Sequence, residues 1–168
     1  MSDPRFITAY FDAERFGALL FVLAGALAIA LALLLLRRRS GLRGMAVPLI
    51  AVALIQLGVG FTVWQRSPAQ AAASMQQWRE APAAFQRVES LRMRTVIADL
   101  QRYRSLQLGL LALGMALVVL LRHRAFWFAF GLGLVLQAGL TLALDHVAHA
   151  RAQAYFEALQ RHSTPAGH

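Results

Sequence analysis

Four long apolar stretches limit what this chain can fold into. They run from Phe16 to Leu36, Met45 to Trp64, Leu106 to Leu121 and Ala125 to Leu144. A helix needs about 20 apolar residues to cross the hydrocarbon core of a bilayer, and each stretch reaches or approaches that length. The third is short, and it becomes adequate if Tyr103 enters the membrane interface. The pattern predicts an all-α integral membrane protein with four transmembrane helices and the lipid bilayer as its surroundings.

Composition supports one membrane domain over 1–168. The chain is 58% apolar and 15% charged, whereas soluble domains average roughly 45 to 50% and 25%. There is no cysteine, which excludes disulfides, thiol redox chemistry and Cys-ligated zinc or iron–sulfur clusters. All 17 basic residues are Arg, as is typical of a GC-rich bacterial genome. They lie mainly between the apolar stretches, where they set orientation, so no nucleic acid partner is expected.

The short connections predict the orientation. Cytoplasmic loops near helix ends carry excess basic residues, and the connections 37–44 and 122–124 are both basic without any acid. The first connection contains Arg37, Arg38, Arg39 and Arg43. The amino terminus carries Asp3, Asp12 and Glu14 and fits the outside. We expect a multi-pass protein of the bacterial inner membrane with both termini outside, whose first span is not a cleaved signal peptide.

The polar segments 65–104 and 145–162 predict an outer, periplasmic helical cap. Ser67 and Pro68 are typical of a helix start, and Pro82 should end that short helix one residue earlier, at Ala81. A third long helix is expected to begin near Ala83 and extend roughly 58 Å at 1.5 Å per residue, against a core about 30 Å thick. The fourth helix continues past its span in the same way, and the amphipathic start 6–15 is expected to join the cap.

Two of the predicted spans each contain one glutamine in the middle of the apolar run. LIQLGVGFTV, 54–63, contains Gln56, and LVLQAGLTLA, 134–143, contains Gln137. Each belongs to the second helix of a pair joined by a basic turn, which predicts two hairpins in a degenerate parallel repeat. That repeat would place the two amides at similar depth and within reach of each other.

These residues predict an interhelical polar clamp, in which small residues such as Gly58 and Gly139 allow close approach. The clamp consists of Gln56, Gln137, Thr62 and Thr141. The alternative is a polar lining for a solute or ion path. No ionisable residue lies in the middle of a span to serve a proton or ion pump.

A weak metal candidate lies where the fourth span ends. Asp145, His146 and His149 cluster there, and Asp145 and His149 share a helix face at i, i+4. The alternative is a charged interfacial rim in which Asp145 pairs with Arg104 or Arg151. No facing histidines suit a haem, and no catalytic spacing or phosphate-binding motif is present. We expect no cofactor and no enzymatic activity.

The basic segment after Ala83 is the candidate partner-binding surface. Its arginines alternate with apolar residues, and Glu89–Arg92 and Asp99–Arg102 are spaced as i, i+3 pairs on a solvated face. The residues predicted to contact a partner are Arg87, Arg94, Leu100 and Tyr103.

Two functions remain open from the sequence. The first is an interaction protein, such as an assembly or sensor subunit or a toxin-immunity type protein, that binds a partner protein through its cap and membrane helices. The second is a transport or channel component lined by Gln56 and Gln137, with a homo-oligomer as one arrangement.

Overall fold

The structure, a computed structural model, describes residues 5–38 and 41–163, and these are helical apart from short connections at Arg38, Ala81 and 121–124. Its long helices are α1 (Arg5–Arg37), α2 (Ala46–Glu80), α3 (Pro82–Leu120) and α4 (Ala125–Ser163). A short 3₁₀ helix, Gly41–Met45, precedes α2. Asp3 and Arg39, which contribute to the predicted orientation, lie outside the described residues.

All four long helices are long and apolar enough to cross a membrane, judged by length and composition over the described residues. This confirms the prediction of an all-helical chain with four helices that could span a membrane. The third predicted helix is also confirmed, because α3 runs for 39 residues from Pro82. The large apolar side chains of its span, such as Leu106, Leu113 and Val119, are exposed, as expected of a helix that faces lipid.

The prediction of a separate helix starting at Ser67 and Pro68 is wrong. Helix α2 continues through Pro68 and ends at Glu80. The Ser67 hydroxyl does not cap a new helix, because it lies 2.8 Å from the Val63 carbonyl oxygen one turn earlier and 2.8 Å from the Glu14 carboxylate. The predicted break before Pro82 is confirmed: Ala81 has φ −149° and ψ 70° and separates α2 from α3.

Helix α4 contacts each of the other three helices, while the main partner of α1 is α2 and that of α3 is α4. The α1–α2 contacts run in opposite chain directions, because Gly25 meets Ala53 and Gly60 meets Ala18. The core of this pair consists of four alanines and one leucine: Ala28, Ala32, Ala46, Leu49 and Ala53. Helices α3 and α4 approach closely where Gly131 faces Gly114. A Cβ at Gly131 would lie 2.7 Å from the Gly114 carbonyl oxygen.

The two basic connections lie at the same end of the molecule. A Cβ at Gly41 would lie 3.9 Å from the Ala125 side chain, and one at Gly44 would lie 3.1 Å from the Phe130 backbone nitrogen. The 3₁₀ helix therefore packs against the start of α4, next to the turn at 122–124.

The opposite end holds the main hydrophobic core, which all four helices build. We call it the aromatic cluster. It consists of Ile7, Tyr10, Phe11, Trp78, Phe85, Met93, Ala152, Tyr155 and Leu159. Tyr10 and Tyr155 stack with ring centroids 4.2 Å apart, and Trp78 meets Phe85 edge to face at 5.8 Å. These aromatic pairs fix how the four helix ends sit together.

Candidate functional site

The amino-terminal half of α3 carries the candidate partner-binding surface, and a partly buried ion pair marks the opposite side, which faces the core. Glu89 lies on the apolar stripe of α3 and is buried against the aromatic cluster. Arg92 donates two hydrogen bonds to its carboxylate, at 2.8 and 2.6 Å. The Tyr155 hydroxyl of α4 donates a third at 3.1 Å. A buried carboxylate is costly unless it is paired and hydrogen-bonded. The Tyr155 hydrogen bond therefore favours the rotation of α3 about its own axis that points Glu89 toward α4.

This burial corrects the sequence interpretation, which placed both i, i+3 pairs on a solvated face. The Arg102–Asp99 pair at 3.1 Å is exposed as expected, whereas Glu89 is not. Its position is explained by spacing: Phe85, Glu89 and Met93 are four residues apart and share one helix face. Burial, followed by the neighbouring Glu89 carboxylate, raises the pKa of the Tyr155 hydroxyl, so Tyr155 stays protonated as a donor.

The side of α3 opposite Glu89 is basic and exposed. We define the basic face as Arg87, Leu91 and Arg94, which are exposed and lie at i, i+4 and i+7 on one helical surface. Neither arginine has an acidic partner among the described residues. The Arg94 guanidinium lies 5.9 Å from the centre of the Phe156 ring, a cation–π distance. The basic face is therefore a positively charged surface whose charges are not neutralised by any acidic side chain that the structure describes.

The four residues predicted to contact a partner lie on two sides of α3. At 3.6 residues per turn, Leu100 and Tyr103 are roughly 140° and 160° around the helix from Arg87. Leu100 is half-buried against the aromatic cluster, and Tyr103 is exposed. One straight partner helix would not reach all four. Their role in binding stays a prediction.

A second buried set of polar groups joins α1, α2 and α4. Glu14 and Ser67 are both buried, and their side chains meet at 2.8 Å. Nearby, Arg151 of α4 donates a hydrogen bond of 2.6 Å to the Ala13 carbonyl oxygen. Gly17 gives that guanidinium its space, because a Cβ there would lie 2.8 Å from Arg151 Nη1. Burial lowers the pKa of Arg151. The sequence interpretation missed this set.

The two glutamines of the spans meet, as expected from their positions. Gln137 Nε2 lies 3.4 Å from Gln56 Oε1 and 3.5 Å from the Leu49 carbonyl oxygen. Gln56 Nε2 donates to the Thr141 hydroxyl at 3.2 Å. Both amides are buried, and their hydrogen bonds connect α2 with α4.

Thr62 does not join these contacts, and this part of the predicted clamp needs correction. Its hydroxyl donates to the Gly58 carbonyl oxygen of its own helix at 2.8 Å. Thr62 lies six residues after Gln56, about 240° around the helix, whereas Thr141 is four residues after Gln137 and on the same side. Gly58 and Gly139 were expected to allow two helices to approach closely. The structure differs, because a Cβ at either position would meet nothing within 4 Å.

Asp145, His146 and His149 line a cleft between α3 and α4. The described residues contain no group of three or more His, Asp or Glu side chains placed to hold a metal ion, so the weak metal candidate is not supported. The expected pairing of Asp145 with Arg104 or Arg151 is absent among the described residues. Asp145 instead accepts a hydrogen bond from Gln107 Nε2, while Arg151 binds the Ala13 carbonyl.

Comparisons of the chain with protein-family models, with curated proteins and with solved structures return no match.

Proposed function

We propose that this protein is a non-enzymatic membrane protein that binds a partner protein through the basic face of α3. The observation that carries the proposal is the contrast between the two sides of this helix. On one side the Glu89 carboxylate is fully engaged by Arg92 and Tyr155. On the other, Arg87 and Arg94 are exposed without acidic partners among the described residues. A helix face with two exposed arginines that lack acidic partners among the described residues is electrostatically complementary to an acidic partner.

The partner's chemistry follows from this surface. Exposed Leu91 lies between the two arginines, so a matching helix would present acidic residues flanking an apolar one. The guanidinium forks suit carboxylates in paired geometry. An assembly or sensor subunit, or an immunity protein that blocks a membrane-inserting toxin, would use such a contact without catalytic groups.

We further propose the topology that places this surface in the periplasm of a bacterial inner membrane. Both basic connections share one end of the molecule, which suits the cytoplasm because basic loops are retained there. The aromatic cluster and the basic face would then form a periplasmic cap, and both termini would lie outside. The helices would form two hairpins, α1–α2 and α3–α4, in a degenerate repeat. The contact between Gln56 and Gln137 supports this arrangement.

A solute path through the glutamines is the weaker alternative. The amides of Gln56 and Gln137 are hydrogen-bonded to each other, to Thr141 and to the Leu49 carbonyl. Gln137 also borders a cavity of about 450 Å³ between α1, α2 and α4, whose other described lining residues are all leucine or alanine. These contacts favour a structural role, because a path for a polar solute needs polar groups that face it.

The proposal is tested by photo-crosslinking in native membranes. A photoreactive amino acid in place of Leu91 should give one stoichiometric protein adduct, which mass spectrometry identifies. Charge reversal by Arg87→Glu with Arg94→Glu should abolish it. The matched control is Arg79→Glu with Arg161→Glu, which changes the net charge equally at exposed arginines of α2 and α4 and should leave the adduct intact.

Two outcomes would contradict the proposal. The first is an adduct that survives charge reversal of the basic face. The second is a photoreactive Leu91 position that labels only lipid or a second copy of the chain. A photoreactive residue at exposed Ala72 of α2 is the positional control and should give no partner adduct.

A further inference from the structure

A cleft between α3 and α4 combines polar and apolar walls. Its volume is about 280 Å³, and its lining includes Leu100, Leu108 and Leu142 together with Arg104, Asp145 and His149. His146 also borders it. The cleft thus holds a cation, an anion and two imidazoles beside leucine side chains, and it lies apart from the basic face of Arg87 and Arg94.

Buried polar atoms at and beside this cleft lack hydrogen-bond partners among the described residues. Gln107, which is not one of the residues lining the cleft, contacts Asp145 through its amide nitrogen, and its carbonyl oxygen Oε1 is buried without a hydrogen bond. His149 Nε2 is likewise buried and unpaired. Arg104 has no ion pair among the described residues. The lining therefore offers a guanidinium, a carboxylate and two imidazoles to a ligand that carries both a hydrogen-bond acceptor and a hydrogen-bond donor.

The location restricts the ligand. The predicted third span starts at Leu106 and the predicted fourth span ends at Leu144, so the cleft lies at the level where both helices leave the membrane. A ligand at this depth that meets leucines and charged groups together is amphipathic. Phospholipids have this character, with the headgroup at the interface and the chains in the hydrocarbon core.

We propose that this cleft binds the headgroup of a phospholipid that carries a primary ammonium group, as in phosphatidylethanolamine. The phosphate accepts hydrogen bonds from the Arg104 guanidinium and the His149 Nε2–H, since guanidinium groups match phosphate oxygens. The ammonium donates to the Asp145 carboxylate, which also accepts a hydrogen bond from Gln107. The acyl chains run along the leucines of α3 and α4.

The test is native mass spectrometry of the full-length protein in detergent with defined lipids. Phosphatidylethanolamine should be retained at least about tenfold more than phosphatidylcholine, because a trimethylated ammonium cannot donate a hydrogen bond. Soluble phosphoethanolamine, which lacks acyl chains, should compete only weakly. Strong competition by the soluble headgroup, or equal retention of the two lipids, would overturn the proposal.

Substitutions at the cleft test whether the lipid binds there. Arg104→Gln, at an exposed position, should lower phosphatidylethanolamine retention about tenfold, the effect of losing a charge-assisted hydrogen bond. His149→Phe should also lower it. Arg124→Gln, in the basic turn at the other end, is the matched control and should change nothing. Retention in Arg104→Gln and His149→Phe equal to that of the unmodified protein would overturn the proposal, and their melting temperatures confirm that both fold.

Discussion

The two ion pairs of α3 share a spacing but differ in burial, and this difference predicts unequal effects of their loss. The side chains of Arg92 and Glu89 are 35% and 7% exposed, whereas those of Arg102 and Asp99 are 80% and 43% exposed. Arg92→Met strands a buried carboxylate, a change that costs about 3 to 5 kcal/mol when both partners are fully buried. Partial exposure of Arg92 reduces this to about 2 to 3 kcal/mol. Arg102→Met should cost about 0.5 kcal/mol or less.

A compensating substitution tests the reason for the loss. Glu89→Gln removes the charge and keeps an acceptor oxygen for the Tyr155 hydroxyl, so the Glu89→Gln, Arg92→Met double variant should be more stable than Arg92→Met by about 1 kcal/mol or more. Equilibrium unfolding in mixed micelles measures these free energies, with near-ultraviolet circular dichroism reporting the aromatic cluster. A double variant no more stable than Arg92→Met would refute the stranded-charge explanation, as would equal effects of Arg92→Met and Arg102→Met.

Three further predictions concern packing, the amide contacts and pH. Gly131→Ala should destabilise the protein by about 1 to 3 kcal/mol, because its Cβ would press on α3, while Gly139→Ala should be neutral or stabilising in the same unfolding assay. Gln137→Leu should cost about 0.5 to 1.5 kcal/mol, and adding Gln56→Leu should cost little more. The pKa of Tyr155 is raised in the fold, so unfolding free energy should fall as pH rises above about 10, where the unfolded tyrosine ionises, and fall less in Tyr155→Phe.

The helices were predictable because their signals are local. Apolar length identified the four spans, and Pro82 marked the break between α2 and α3. Pro68 was misleading, since a Ser-Pro pair resembles a helix start. Here α2 continues through Pro68, and contacts with α1 stabilise it there, including the hydrogen bond between Ser67 and Glu14.

The candidate sites were less predictable because burial of a charge depends on distant partners. Glu89 looked like half of a solvated pair, and it is buried because this face of α3 packs into the aromatic cluster, where Tyr155, 66 residues away, donates a hydrogen bond to it. The position of Glu89 on the apolar stripe of α3 was the sequence signal for its burial. Glu14 gives the same signal on α1, because it follows Ile7 and Tyr10 at helical spacing. The Gln56–Gln137 contact could be predicted because the similarity of segments 54–63 and 134–143 relates two residues that are distant in the sequence.

The most direct test of partner binding through the basic face needs no crosslinker. The tagged protein is extracted from its native membrane into polymer-bounded lipid discs and weighed by native mass spectrometry. The unmodified protein should carry one additional protein chain at fixed stoichiometry, and the Arg87→Glu, Arg94→Glu variant should be recovered without it. Recovery of the unmodified protein alone, or with the same added mass in both forms, would contradict the proposal that Arg87 and Arg94 bind a partner.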